Sequence, residues 1–139
     1  MRRLFRLSKS ELVLLVEALT LVIAVRAALW VRPYDRVRRY LQSMRRVSNY
    51  NPSAARIAQF VAVASRFIPN ANCLTRALAA EALLQRHGHD PCLRIGVAKS
   101  APDALRAHAW VECAGDVVIG GDAVEGLTPL GATGVRTYR

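Results

Sequence analysis

Residues 72–88 read Asn72-Cys73-Leu74-Thr75-Arg76-Ala77-Leu78-Ala79-Ala80-Glu81-Ala82-Leu83-Leu84-Gln85-Arg86-His87-Gly88, and beyond them come Leu93-Arg94-Ile95-Gly96-Val97 and Ala107-His108-Ala109-Trp110-Val111-Glu112. The first run is rich in helix formers and stops at a glycine, so a helix is predicted from Asn72 to His87. The later runs change period. Leu93, Ile95 and Val97 alternate with Arg94 and Gly96, a second strand is expected over 105–113, and Val117 to Ile119 gives a third after the turn Ala114-Gly115-Asp116.

Upstream the pattern is helical throughout. Ser8 to Trp30 is expected as one long helix closed by Pro33. Tyr34 to Arg46 is a second, with Val37, Tyr40, Leu41 and Met44 on one face. Asn51-Pro52 reads as an N-cap followed by proline at the first helical position. Ile57, Phe60, Val61, Ala64 and Ile68 then make the apolar stripe of a third helix that Pro69 ends. The fold class is therefore α+β, a helical layer on a small antiparallel sheet. With 139 residues the chain can bury one good core but not two. We divide it into a basic, apolar N-terminal helical region, residues 1–50, and a core, residues 51–139.

The formal net charge is +10, and it is concentrated at the front. Residues 1–50 carry eleven Arg and Lys against three acids. Such a patch steers acidic partners, anionic lipid or nucleic acid without specifying any of them. Residues 12–31 are the most apolar segment. Its aliphatic side chains favour membrane insertion by about 0.5 kcal/mol each, but Glu17 and Arg26 each cost about 2.5–3.5 kcal/mol near a span's centre, so the balance lies close to zero. No signal-peptidase site follows, and the helix is expected to be largely covered, chiefly by protein.

Three cysteines without a C-x-x-C spacing fit neither a disulfide framework nor a zinc ribbon, and a reducing cytoplasmic setting is expected. Cys92 and Cys113 lie in apolar strand runs and are read as inert packing. Cys73 differs from them. In the first turn of a helix it sits beside unpaired amides and the positive end of the dipole, which favour thiolate over thiol. His108 shares its strand face with Trp110 and Glu112, a mixed set that suits a cleft wall. A cysteine nucleophile and a histidine base are the two parts of thiol catalysis. The competing structural readings are a small residue at the top of the core and a hydrogen-bonded core histidine.

A third group should orient the imidazole. Asp122, just past Gly120-Gly121, is the first choice and Glu125 the second, whereas Asp116 belongs to a hairpin turn. For the oxyanion, the Cys73 amide is one donor, with Asn72 and Trp110 as further substrate or oxyanion candidates. His87 and His89 are ordinary basic residues at a helix end and not a metal pair. Neither metal nor cofactor is expected.

The Asn72–Leu78 run with Leu83-Leu84 and Gly88, then Leu93–Val97 and Ala107–Glu112, resembles the lasso peptide leader peptidases. These are bacterial cysteine proteases with a transglutaminase-like, papain-like core that remove the leader from a ribosomally made precursor. The resemblance covers about residues 52–130, and the basic Leu-rich front is similar to the stand-alone form of the enzyme. It implies a Cys73-His108-Asp122 triad. It also implies a precursor peptide substrate, a separate small winged-helix leader-binding protein and a macrolactam synthetase acting next, with no nucleic acid as partner. The chain departs from many relatives in having glycines at 120 and 121 where they place an Asp-containing turn. The alternative is a non-catalytic basic adaptor on an anionic membrane surface or partner, and the N-terminal helices are a candidate peripheral membrane contact in either case.

Overall fold

The structure is a computed structural model and describes residues 7–43, 49–69, 71–101, 104–120 and 128–129. Four helices, α1 (Lys9–Val31), α2 (Tyr34–Ser43), α3 (Ala54–Arg66) and α4 (Cys73–Arg86), precede four strands, β1 (Pro91–Ala101), β2 (Ala104–Cys113), β3 (Asp116–Ile119) and β4 (Thr128–Pro129). The sheet is antiparallel in the order β3-β2-β1-β4. The expected α+β class is what the chain adopts. β4, two residues pairing with Gly96 and Val97, has no periodic signal that sequence could carry.

Local chemistry sets the helix starts. Ser8 and Glu11 form a reciprocal capping box at α1. Glu11 accepts the Ser8 amide and also pairs with Arg56, and these hydrogen bonds hold its carboxyl below its ordinary value of 4.5. At α3 the cap is Ser53, whose hydroxyl accepts the Arg56 amide. It is not Asn51. The Pro52 carbonyl is taken by His89 Nε2 at 2.7 Å, so the helix begins at Ala54 instead of at the proline. The stripe of α3 buries Ile57, Phe60, Val61 and Ala64 as expected, but the helix ends at Arg66, before Ile68.

Helix α4 lies at the centre. Thr75, Ala77 to Glu81, Leu83 and Leu84 are all buried, packed against α1, α3 and the inner face of β1 and β2, where Leu93, Ala109 and Val111 close the core. Glu81 is buried with its carboxylate, and Arg38 reaches it from α2 with two bonds of 3.0 and 2.9 Å. One arginine of the basic α2 surface is thus an internal strut. Tyr40, expected on the apolar face of α2, is exposed instead, and Met44 lies outside the described residues.

His87 is also not the ordinary surface residue its position implied. It is 2% exposed, with Nδ1 2.5 Å from the Tyr50 carbonyl and Nε2 3.0 Å from Glu17. Glu17, polar in an apolar helix, is therefore the link between α1 and the far end of α4. By contrast, only 22% of the most apolar stretch of α1 is buried. Leu14, Ala18, Val22 and Val25 face the core, while the opposite side is open. Among the described residues the chain's own domain covers only the inner side of this helix.

Replacing Arg38 by alanine strands the Glu81 carboxylate in the interior, and chemical denaturation should show a loss of about 3–5 kcal/mol. Glu11→Gln tests the lowered carboxyl. A depressed carboxyl stabilises the fold fully above its unfolded value and loses that contribution as pH falls through the folded one. The stability difference between wild type and variant should hold above about pH 5 and shrink on acidification below pH 4.5.

Candidate active site

Cys73 is the first residue of α4, and Asn72 caps that helix. Asn72 Oδ1 accepts from the Thr75 amide at 2.9 Å and from the Thr75 hydroxyl at 3.0 Å. Thr75 is fully buried, so the cap is anchored in the core. Because Oδ1 is engaged in this way, the donor Asn72 retains is its Nδ2 amide. Cys73 is half-buried and lines a crevice with Arg76, Ala109, Ile119 and Gly120.

His108 stands on β2 opposite Gly96. It lines the neighbouring cleft of about 580 Å³, bounded by α3 through Ala58, Gln59 and Ser65, by Arg76 of α4, and by β3. Arg76, Ile119 and Gly120 belong to both walls, but Cys73 lines only the narrow crevice and His108 only the cleft. No hydrogen bond joins the two side chains among the described residues. His108 Nε2 lies 2.8 Å from the Gly120 carbonyl. A carbonyl only accepts, so Nε2 carries the proton, and in the neutral ring Nδ1 keeps its lone pair. Trp110 is buried and stacks against the imidazole, with ring centroids 6.3 Å apart and planes 17° from parallel. Glu112, on the same strand face, pairs with Arg94 of β1.

Gly120 is at φ +81°, and a Cβ there would lie 2.9 Å from the Ala109 carbonyl and 3.0 Å from Trp110 Cβ. The chain after β3 can only press this closely against β2 because the residue has no side chain. Sequence reading placed Gly120 as a spacer before Asp122, but its carbonyl is the imidazole's partner. Asp122 and Glu125 lie outside the described residues. Asp116 is the first residue of β3, paired with Cys113, and the turn itself is Ala114-Gly115, both at positive φ as a two-residue hairpin requires.

Arg76 escaped sequence reading. It sits one turn after Cys73, lines both spaces, and its buried Nε has no partner. Only its i+3 offset from the cysteine could have signalled it. Of the other cysteines, Cys113 is buried as expected, whereas Cys92 is half-buried, and no disulfide joins any of the three. Among the described residues no group of His, Cys, Asp and Glu could hold a metal ion.

An α+β domain whose central helix opens on a cysteine and whose antiparallel sheet carries a histidine falls in a class that includes thiol peptidases. The profile of the Transglutaminase-like superfamily matches residues 18–132, and the chain belongs to that superfamily. The matched span begins inside α1. No curated protein and no solved structure matches the chain.

The Gly120→Ala substitution should lower stability by about 1–3 kcal/mol through the forced φ and the clash with β2. It should also move the NMR resonances of His108, since the acceptor carbonyl must shift. An unchanged His108 spectrum would show that the ring does not depend on this carbonyl.

Proposed function

We propose that the chain is a cysteine peptidase that removes the leader from a lasso-type precursor peptide presented by a separate winged-helix leader-binding protein. A macrolactam synthetase then closes the ring on the amine that cleavage frees. The observation that carries the reading is a cysteine at the capped N-terminus of α4 whose crevice shares Arg76, Ile119 and Gly120 with the cleft lined by a histidine whose Nε2 is already anchored. Superfamily membership supports it, because the superfamily includes cysteine peptidases. The leader-peptidase motifs supply the substrate class.

In this mechanism His108 Nδ1 accepts the Cys73 proton as the sulfur attacks the scissile carbonyl. The Nε2–H bond to Gly120 keeps the base in the right tautomer, and Asp122 is the further group proposed to hold the ring. The tetrahedral oxyanion takes the Cys73 amide and the Asn72 Nδ2 as donors, and Trp110 backs the imidazole. His108 returns the proton to the leaving amine, which departs as the mature peptide's new N-terminus. Water, deprotonated by His108, then hydrolyses the thioester, so the leader leaves as a carboxylate and the thiol is restored. The reaction needs neither metal nor cofactor, and a cytoplasmic setting keeps the thiol reduced.

The test combines purified protein, its leader-binding partner and precursor, with products identified by mass. Cleavage should release leader and core whose masses sum to the precursor plus one water. Cys73→Ala and His108→Ala should each reduce the rate at least about 10³-fold, and Asp122→Asn by a smaller factor. Cleavage that persists in Cys73→Ala defeats the mechanism.

A further inference from the structure

We infer that the open side of α1 rests in the surface of an anionic phospholipid bilayer, with the helix lying in the membrane plane and the catalytic domain on the aqueous side. This goes beyond the peptidase reading and does not depend on it.

The stripe runs the whole helix. Lys9, Leu12, Val13, Val16, Thr20, Ile23, Ala24, Ala27, Trp30, Val31 and Arg32 are all exposed, and they recur at the spacing of one helical face. Leu12, Val13, Val16, Ile23, Trp30 and Val31 are each more than half exposed. The polar group within the stripe, the Thr20 hydroxyl, is turned back onto the Val16 carbonyl at 2.8 Å and makes no demand on water. Over 23 residues this gives an apolar ridge about 35 Å long. Ridges of that size are rare on soluble surfaces without something to cover them.

Charge and aromatic placement select the occupant. The ridge ends in Lys9 at one side and Arg32 at the other, with no acid between them on that face. Glu11 is turned to Arg56 and Glu17 to His87. Trp30 caps the C-terminal end under the Arg26 guanidinium. Next to it an apolar groove of about 420 Å³ between α1 and α2 is rimmed by Arg32, Arg36 and Tyr40. Asp35, the neighbouring acid, is neutralised by Arg39. Apolar surface bordered by arginine, tryptophan and tyrosine matches the boundary between acyl chains and anionic head groups.

The same helix is long and apolar enough to span a bilayer, but its inner stripe excludes that arrangement. Leu14, Ala18, Val22 and Val25 are buried against the domain, and Glu17 is bonded to buried His87. Spanning would strip these contacts away, whereas lying in the interface leaves them whole.

The full-length protein is mixed with vesicles of phosphatidylcholine, with and without about a quarter phosphatidylglycerol, and read by co-sedimentation and tryptophan emission. Trp110 is buried, so a blue shift on binding should come from Trp30 and vanish in Trp30→Phe. Binding should require the anionic lipid and weaken about fivefold for each of Lys9→Gln, Arg32→Gln and Arg36→Gln. Val16→Asp with Ile23→Asp should reduce partitioning more than tenfold while far-UV dichroism stays unchanged. Lipids brominated near the head groups should quench Trp30 better than those brominated deep in the chains. Folded protein that ignores anionic vesicles overturns the inference. So does a lipid-independent dimer abolished by the same Asp pair, which would give the ridge to a second copy, or quenching from the bilayer centre, which would make it a span.

Discussion

The burial of α4 on every side is the constraint to which the other elements answer. Its start is fixed by Asn72 and buried Thr75, its middle by Glu81 gripped from α2, and its end by His87 and His89 bonded to the carbonyls of Tyr50 and Pro52. A helix held at three points along its length cannot slide or rotate without breaking buried polar contacts, each of which is costly to leave unsatisfied. The place of Cys73 follows from that rigidity. It needs no contact of its own to be positioned, which leaves its sulfur at liberty to face a crevice.

The histidine side is built by a different device. β2 brings His108 to the rim of the sheet, Trp110 backs the ring, and Gly120 closes over β2 near enough for its carbonyl to receive Nε2–H. Backbone thus does part of the work that a carboxylate does in a Ser-His-Asp arrangement, since either acceptor fixes the tautomer that leaves the opposite nitrogen basic. A carbonyl carries no net charge, however, and stabilises an imidazolium less than an ionised carboxylate does.

How much of this was legible in the sequence depended on whether the cause was local. The span of α4, the period of α3 and the alternation in β1 and β2 are set by neighbours a few residues away, and each was read, whereas the equally local Ser8–Glu11 box and Asn72 cap were not. The start of α3 was placed at Asn51-Pro52 although its cap, Ser53, is local, while the bond from His89, 37 residues later, to the Pro52 carbonyl had no sequence signal. The burial of His87 was hidden for the same reason, since its partners Glu17 and Tyr50 come from elements distant in sequence. Cys73 and His108 were readable as residue types in telling places, while Arg76 and the Gly120 carbonyl became visible only when two elements were brought against each other.

α1 is the instructive failure. Its composition says that it prefers not to face water, and that preference was read as cover, chiefly by protein. Hydrophobicity, though, states only what a surface avoids and not what covers it. Four residues of α1 are enough to fill the hollow between α3 and α4, and among the described residues no further layer lies over the rest. A helix apolar on both sides, with Glu17 bonded to His87 and the exposed Thr20 hydroxyl turned back on its own helix, suits two apolar neighbours, one of which is the domain itself. With cations at both ends of the open side, the second neighbour we propose is acidic at its surface and apolar beneath.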